Sequence, residues 1–187
     1  MKTYLQSLNL FTEDELEYVL SVTQTCHLKR GDYFIREGSC CTTVAFVESG
    51  ILRSFYTTPE GEEMTYCISF QNSFMTAYSS FITGLPTQET IQAITPVSLL
   101  VLSKKDVEHF FQTSTNWLKF GKMMAEKEYL ELEKRVFAYQ RESARTRYEN
   151  LLLNQPEYLE QIPLKYLASY LGITPRHLSR LRAEMSK

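Results

Sequence analysis

The sequence predicts an α+β protein: an N-terminal antiparallel β barrel, roll or sandwich with a helix before it, a long dimerisation helix, and a helical C-terminal domain with a helix-turn-helix. Three observations lead there. Turn signals recur at short intervals between His27 and Ser103, the texture of many short antiparallel strands closing into a barrel, roll or sandwich. A helical stretch with apolar residues on two faces runs from about Asn116 to Tyr139, so it needs two partners. The segment IPLKYLASYLGITPRHLSRLRAEM joins two short amphipathic helices through a glycine.

Residues 12–24 read as a helix. Thr12 is a cap, acidic residues fill the first turn, and Leu16, Val19 and Leu20 form an apolar face. From His27 onward, runs rich in Val, Ile, Phe, Tyr and Thr alternate with turn signals at Gly31-Asp32, Glu37-Gly38-Ser39, Ser49-Gly50, Pro59-Glu60-Gly61 and Thr95-Pro96. ILRSFYTTPEGEEMTYCISF is a hairpin around Pro59-Glu60-Gly61. TAYSSFITGLPTQET, Thr76–Thr90, is rich in hydroxyls and carries one charge, Glu89. It reads as a loop that cradles a small molecule.

Ser103 caps a helix over KKDVEHFF. The long helix then shows one stripe of Leu118, Ala125, Tyr129, Leu132 and Val136, and another of Phe120, Met123, Leu130 and Phe137. One stripe is expected to cover the β unit or another element. The other, through Phe120, Met123, Leu130 and Phe137, is expected to meet a second copy in a symmetric dimer. The alternative is one wide stripe buried within a monomer. RESARTRYENLLLNQ is a further helix ended before Pro156, and Pro163 opens the next.

Composition narrows the class. Of 187 residues, 43% are hydrophobic and 22% charged, as in ordinary globular domains. The net charge of −2 hides an asymmetry: residues 141–187 carry eight Lys/Arg against five Asp/Glu, and residues 1–140 carry twelve against seventeen. A basic segment on an acidic body points to nucleic acid. No apolar run reaches membrane-spanning length, and the N-terminus lacks a signal-peptide core, so a cytoplasmic protein without a membrane partner is expected. Cys26, Cys40, Cys41 and Cys67 fit no zinc or iron–sulfur spacing. They are expected to be buried or half-buried free thiols, with a Cys40–Cys41 redox switch as the alternative.

The strongest local signal is the helix-turn-helix. Leu164, Leu167, Ala168 and Leu171 make the buried face of a short helix, and the small Ala168 allows close helix approach. Gly172 supplies the positive φ of a tight turn, and Ile173 anchors that turn. Thr174 caps the next helix and Pro175 occupies its first position. Leu178 and Leu181 bury the second helix, leaving Arg176, His177, Ser179, Arg180 and Arg182 outward or lateral. Exposed arginines on the second helix are what separate DNA reading from a plain helical hairpin.

Through these residues the chain resembles the Crp/Fnr (cyclic-AMP receptor) family of bacterial transcription regulators. GDYFIREG and VAFVESGILRSF carry the likeness in the roll, and RYENLLLNQPEYLEQIPLKYLASYLGITPRHLSRLR carries it in the C-terminal domain. The resemblance implies a cyclic-nucleotide-binding-like roll over residues 1–115, a dimerisation helix over 116–139, and a DNA-binding domain over 140–187. It implies double-stranded DNA with a pseudo-palindromic operator as partner. RNA polymerase and an unidentified small-molecule effector are further candidate partners. The hinge is expected near Phe137–Arg141. Where the family reads bases with an arginine, a glutamate and a second arginine, this chain has Pro175, Arg176 and Arg180. Arg180 is the first choice for a guanine and Arg176 the second. Ser179 is placed on a base or a phosphate, and Thr174, Arg182 and Lys165 on the backbone. The sequence stops five residues after Arg182, so no wing is expected after the recognition helix.

The resemblance also places Thr76–Thr90 at the family's phosphate-binding cassette. Nucleotide-binding members carry Gly-Glu at its start for the ribose and Arg-Ser or Arg-Thr near its end for the cyclic phosphate. Counting back from Ser103, those pairs fall on Thr76-Ala77 and Thr87-Gln88. No Lys or Arg occurs from Ser54 to Ser103, and a buried phosphate wants a guanidinium. Control by cAMP is therefore not expected. A neutral effector against Thr76, Ala77, Tyr78, Phe81, Ile82, Thr87 and Gln88 remains as a candidate site, beside a cassette filled by its own side chains. With only His27, His109 and His177, and without the cluster-bearing cysteine pattern, no metal, haem or other cofactor is expected. A cupin-type enzyme lacks its histidines, so no enzymatic activity is expected. An effector module acting through protein partners would lack the helix-turn-helix.

Overall fold

The computed structural model describes residues 1–185. In chain order the elements are α1 (Lys2–Ser7), α2 (Glu13–Val22), β1 (Gln24–Leu28), β2 (Tyr33–Ile35), β3 (Thr43–Ser49), β4 (Leu52–Thr57), β5 (Glu63–Ser69), β6 (Phe74–Met75), α3 (Tyr78–Thr83), β7 (Thr90–Ala93), β8 (Val97–Ser103), α4 (Lys104–Thr113), α5 (Thr115–Arg141), α6 (Ala144–Asn154), α7 (Pro156–Gln161), α8 (Leu164–Tyr170) and α9 (Pro175–Met185). Two compact units result: Met1–Ser54 with Ile68–Glu126, and Phe55–Cys67 with Lys127–Lys187.

The strands form two four-stranded sheets, ordered β1-β8-β3-β6 and β2-β7-β4-β5. β8 pairs antiparallel with β1 and β3, β6 with β3, and β7 with β2. Alternation along the strands sends Ala45 and Val47, Ile91 and Ala93, and Val97 and Leu99 to common faces. With Leu52 and Met75 they make the core of the roll, and all are buried. Each turn signal read from the sequence falls between strands or, at Ser49-Gly50, where β3 ends.

A second core joins α1, α2, α4 and the start of α5 through Leu5, Leu16, Val19, Leu102, Phe110, Trp117 and Phe120. Thr12 and Glu15 form a reciprocal capping box that starts α2. Burial works to raise the Glu15 carboxyl. Hydrogen bonds from Ser114, the Thr12 amide and Asn116 outweigh it and hold the pKa below the ordinary value.

Helix α5 has 27 residues, about 40 Å at 1.5 Å per residue. Its start is core, with Phe110 stacked on Trp117 at 4.9 Å between ring centroids. Phe120, expected on the partner-facing stripe, is 6% exposed. It is enclosed by Phe11, Phe74 and Trp117: the first turns of the helix land on the N-terminal helices, and that contact decides their apolar face. The stripe expected to cover the β unit is the exposed one, with Leu118, Tyr129, Leu132 and Val136 all open to solvent. Met123, Leu130 and Phe137 are exposed too. The helix runs through the segment expected as hinge and breaks at Glu142-Ser143, where the Ser143 hydroxyl accepts the Thr146 amide and caps α6.

Candidate nucleic-acid interface and effector region

The helix-turn-helix is built locally. In α8, Leu167 and Ala168 have no exposed area. The chain leaves α8 through a left-handed Gly172 at φ 68°. The Ile173 amide donates to Ala168 O at 3.0 Å and the Gly172 amide to Ser169 O at 3.1 Å, the paired bonds of a Schellman turn. A methyl on Gly172 would sit 2.6 Å from the Tyr139 ring, so both backbone and packing demand glycine. Thr174 Oγ1 accepts the His177 amide at 3.2 Å. This hydroxyl is the cap of α9.

Leu178 and Leu181 are buried beneath α9. Arg176, Ser179 and Arg180 are exposed, His177 and Arg182 half-buried, and Lys165 exposed on α8. At 100° per residue, Arg176, Ser179, Arg180 and Ala183 share one outward face. Arg180 Nε lies 3.8 Å from Glu184, one turn on. Ser179 Oγ donates to Pro175 O at 3.0 Å, which leaves its lone pairs for a donor on a ligand. The Thr174 hydroxyl, expected on a phosphate, is engaged as the helix cap.

The effector region is not a loop throughout. Residues 78–83 form α3, ended by Gly84, whose amide bonds Ser80 O. Ser80, 2% exposed, accepts the Cys41 amide at 2.8 Å and donates to Leu85 O. Thr76 Oγ1 donates to Thr43 O at 2.8 Å. The Thr87 amide donates to Ser39 O and its carbonyl accepts the Gly38 amide, each at 2.8 Å. Lys104 Nζ donates to Phe81 O and Ile82 O, placing a cation at the C-terminal end of α3.

The candidate effector residues therefore scatter. Ala77, Phe81 and Thr87 are buried, Thr76 is half-buried, and Tyr78, Ile82 and Gln88 are exposed. An open cavity of about 350 Å³ lies beside them, between β2 and residues 39–43. Arg53, one residue before the cation-free stretch, is 1% exposed, and its Nε and Nη2 donate to Gln92 Oε1 at 3.1 and 2.7 Å. Sequence reasoning missed Ser80 and Lys104; the adjacency of Lys104 to the Ser103 cap was the available signal.

Among the described residues no group of three or more His, Cys, Asp or Glu is arranged to hold a metal. Cys41 is buried, its Sγ 3.4 Å from Thr43 O, whereas Cys40 is exposed, contrary to the expectation that every thiol is covered. No helix among the described residues is long and apolar enough to cross a membrane.

A double-sheet roll, a long helix and a helix-turn-helix with a basic outer face make up the architecture. Residues 25–114 match the cyclic nucleotide-binding domain family. Three solved structures show the fold of the rest. FixK2 from Bradyrhizobium japonicum is 16% identical, with 88% of this chain and 85% of that one covered and a TM-score of 0.78. The c-di-GMP responsive global regulator CLP from Xanthomonas campestris is 16% identical over 91% and 90%, with a TM-score of 0.73. The Thermus thermophilus catabolite activator protein is 20% identical over 94% and 84%, with a TM-score of 0.61. No curated protein sequence matches the chain. Over residues 25–114 the chain is thus similar to the cyclic nucleotide-binding domain family, and as a whole it shares the fold of these solved structures, the fold its motifs led us to expect.

Proposed function

We propose that the protein is a homodimeric, sequence-specific DNA-binding regulator whose roll is not controlled by cAMP. The observation that carries this is α9: an amphipathic helix with Leu178 and Leu181 buried and Arg176, Ser179 and Arg180 facing out from a tight Schellman turn. That face suits a major groove, with Arg180 on a guanine and Arg176 next to it. Lys165 and Arg182 add charge for phosphates. The functional division is roll 1–115, long helix 116–139 and DNA-binding domain 140–187.

The dimer forms along α5. Leu118, Ala125 and Leu132 repeat every seven residues, Tyr129 and Val136 fall four residues after Ala125 and Leu132, and four of these five are exposed. That spacing is a coiled-coil seam, with Met123, Leu130 and Phe137 alongside. Two recognition helices then face a pseudo-palindrome with half-sites about 34 Å apart. RNA polymerase and a small-molecule effector are further partners of such a regulator. Independence from cAMP rests on the cassette: Thr76 and Thr87 are hydrogen-bonded within the roll, Lys104 is bound to α3 carbonyls, and the segment itself carries no Lys or Arg to pair with a phosphate.

Fluorescence anisotropy with the DNA upstream of the protein's own gene tests this, without ligand and then with cAMP. Salt-sensitive binding without ligand, unchanged by cAMP, is expected. Binding only with cAMP would overturn the reading of the cassette.

A further inference from the structure

The unit that holds the helix-turn-helix also contains Phe55–Cys67, the tip of the β4–β5 hairpin. β5 is the last strand of its sheet, so one side of its backbone lacks a neighbouring strand. Such an edge must be paired or covered. Here a side chain from α8 does it. Ser169 Oγ accepts the Thr65 amide at 2.7 Å and donates to Glu63 O at 2.8 Å. Residues i and i+2 of a strand point their C=O and N–H to the same side, and one hydroxyl serves both, as donor and acceptor.

Arg135 of α5 completes the contact. Its Nη2 donates to Thr65 O at 3.1 Å, and the guanidinium lies 4.4 Å from the centre of the Tyr170 ring. Tyr139, one turn on, donates its hydroxyl to Tyr170 O. Arg147 of α6 donates through Nε and Nη2 to Leu171 O, and its guanidinium lies 4.9 Å from the Tyr139 ring. Thr65 is 2% exposed, so its amide has little water to fall back on. The links made by Ser169, Arg135 and Tyr139 run between hairpin tip, end of the long helix and first helix of the helix-turn-helix, and Arg147 braces them from α6.

We infer that Ser169 and Arg135 form a clasp that fastens the hairpin tip to α8 and α5, pre-setting the orientation of the helix-turn-helix for DNA. Helix α8 is continuous with the Schellman turn into α9, and strand β5 with the roll sheet. A shift of the hairpin is thereby passed to the recognition helix through three hydrogen bonds and one stacked guanidinium. Ser169 is a positioning residue, since it touches no groove-facing side chain. The inference rests on the DNA-binding reading for its consequence, though not for its geometry.

The test uses the full chain with Ser169→Ala, Ser169→Thr and Arg135→Gln. Amide hydrogen exchange reports the clasp directly. Ser169→Ala is expected to speed exchange of the Thr65 amide about tenfold to a hundredfold, the range for a buried amide losing its partner. Ala45 and Leu99 in the roll core should keep their rates. Ser169→Thr retains the hydroxyl and should restore the slow rate, and Arg135→Gln should loosen Thr65 to a lesser degree. Operator binding by Ser169→Ala should weaken about fivefold with the salt slope unchanged, because no phosphate contact is lost. Unchanged exchange at Thr65 would overturn the clasp. Acceleration throughout the roll core would also overturn it, because Ser169 would then support the whole fold. Faster local exchange with unchanged operator affinity would overturn the pre-setting role. If the unmodified protein bound no DNA, the DNA-binding reading would fail, and exchange at Thr65 would still decide the clasp.

Discussion

The Thr76–Thr90 segment and helix α9 are both short and polar, and both were expected from the sequence to meet a ligand. They use their polar groups in opposite directions. In the first, Ser80, Thr76, Thr87 and Lys104 bond to backbone groups of the roll, so the segment is closed on itself. In the second, Thr174 and Ser179 bond within their own helix and Arg180 pairs with Glu184 one turn on, while the guanidinia of Arg176 and Arg180 remain exposed. A site that has satisfied its own buried hydrogen bonds must break them to bind, whereas one with exposed guanidinia gives up water and at most a weak surface ion pair. On the proposed function, the same fold keeps its reading head in α9 and closes the segment where a nucleotide would bind.

Substitution on the outward side should have the largest effect. Arg180→Ala should cost about 1–3 kcal/mol on the specific operator and relax discrimination at one base pair. Anisotropy on specific and random duplexes separates the cases: an equal loss on both would mean that Arg180 touches only phosphate. Next comes the inward side. Ser80→Ala leaves the Cys41 amide without its hydroxyl acceptor and should destabilise the roll by about 1–3 kcal/mol, read by urea unfolding. A neutral result would mean that the cassette is not held from within, and the contrast with α9 would disappear.

The contrast was partly legible in advance. Gly172, Thr174, Leu178 and Leu181 obey rules that act within a few residues, so the helix-turn-helix could be read whole. The turns of the roll were legible for the same reason. Phe120 was misplaced because its neighbours, Phe11 and Phe74, come from distant parts of the chain. Helix α3 was hidden because a six-residue helix carries too little periodicity to stand out from a loop. Ser169 gave no signal: its partners lie 104 and 106 residues away, and a lone serine in a helix normally reads as filler.

A smaller effect concerns the body that carries α9. Burial pushes the Tyr158 phenol well above its ordinary value, with Tyr170 and Cys67 adding to the rise and Arg135 opposing it. A raised folded pKa means that the stabilisation is complete below the unfolded pKa, about 10, and fades as pH rises through the folded value. Thermal unfolding followed from pH 8 to 11 should therefore fall above about pH 10. Tyr158→Phe should flatten part of that fall, the remainder belonging to Tyr170, whose pKa burial also raises. An identical profile in the variant would remove Tyr158 from the alkaline transition.

The smallest expected effect is the sharpest for the comparison. A ligand that binds only the folded state at a hundred times its Kd adds about 2.7 kcal/mol, or a shift of several degrees for a chain of this size at roughly 2–4 °C per kcal/mol. Millimolar cAMP should give no shift, because Thr87 and Lys104 are already bonded and no guanidinium stands in the segment. A shift would show the internal bonds of the cassette to be a closed state that nucleotide opens. Ser80→Ala, by weakening that closed state, would then bind cAMP more tightly than the unmodified chain. If cAMP leaves both proteins unmoved, the inward-facing segment is part of the core of the roll, and control of DNA binding must enter elsewhere.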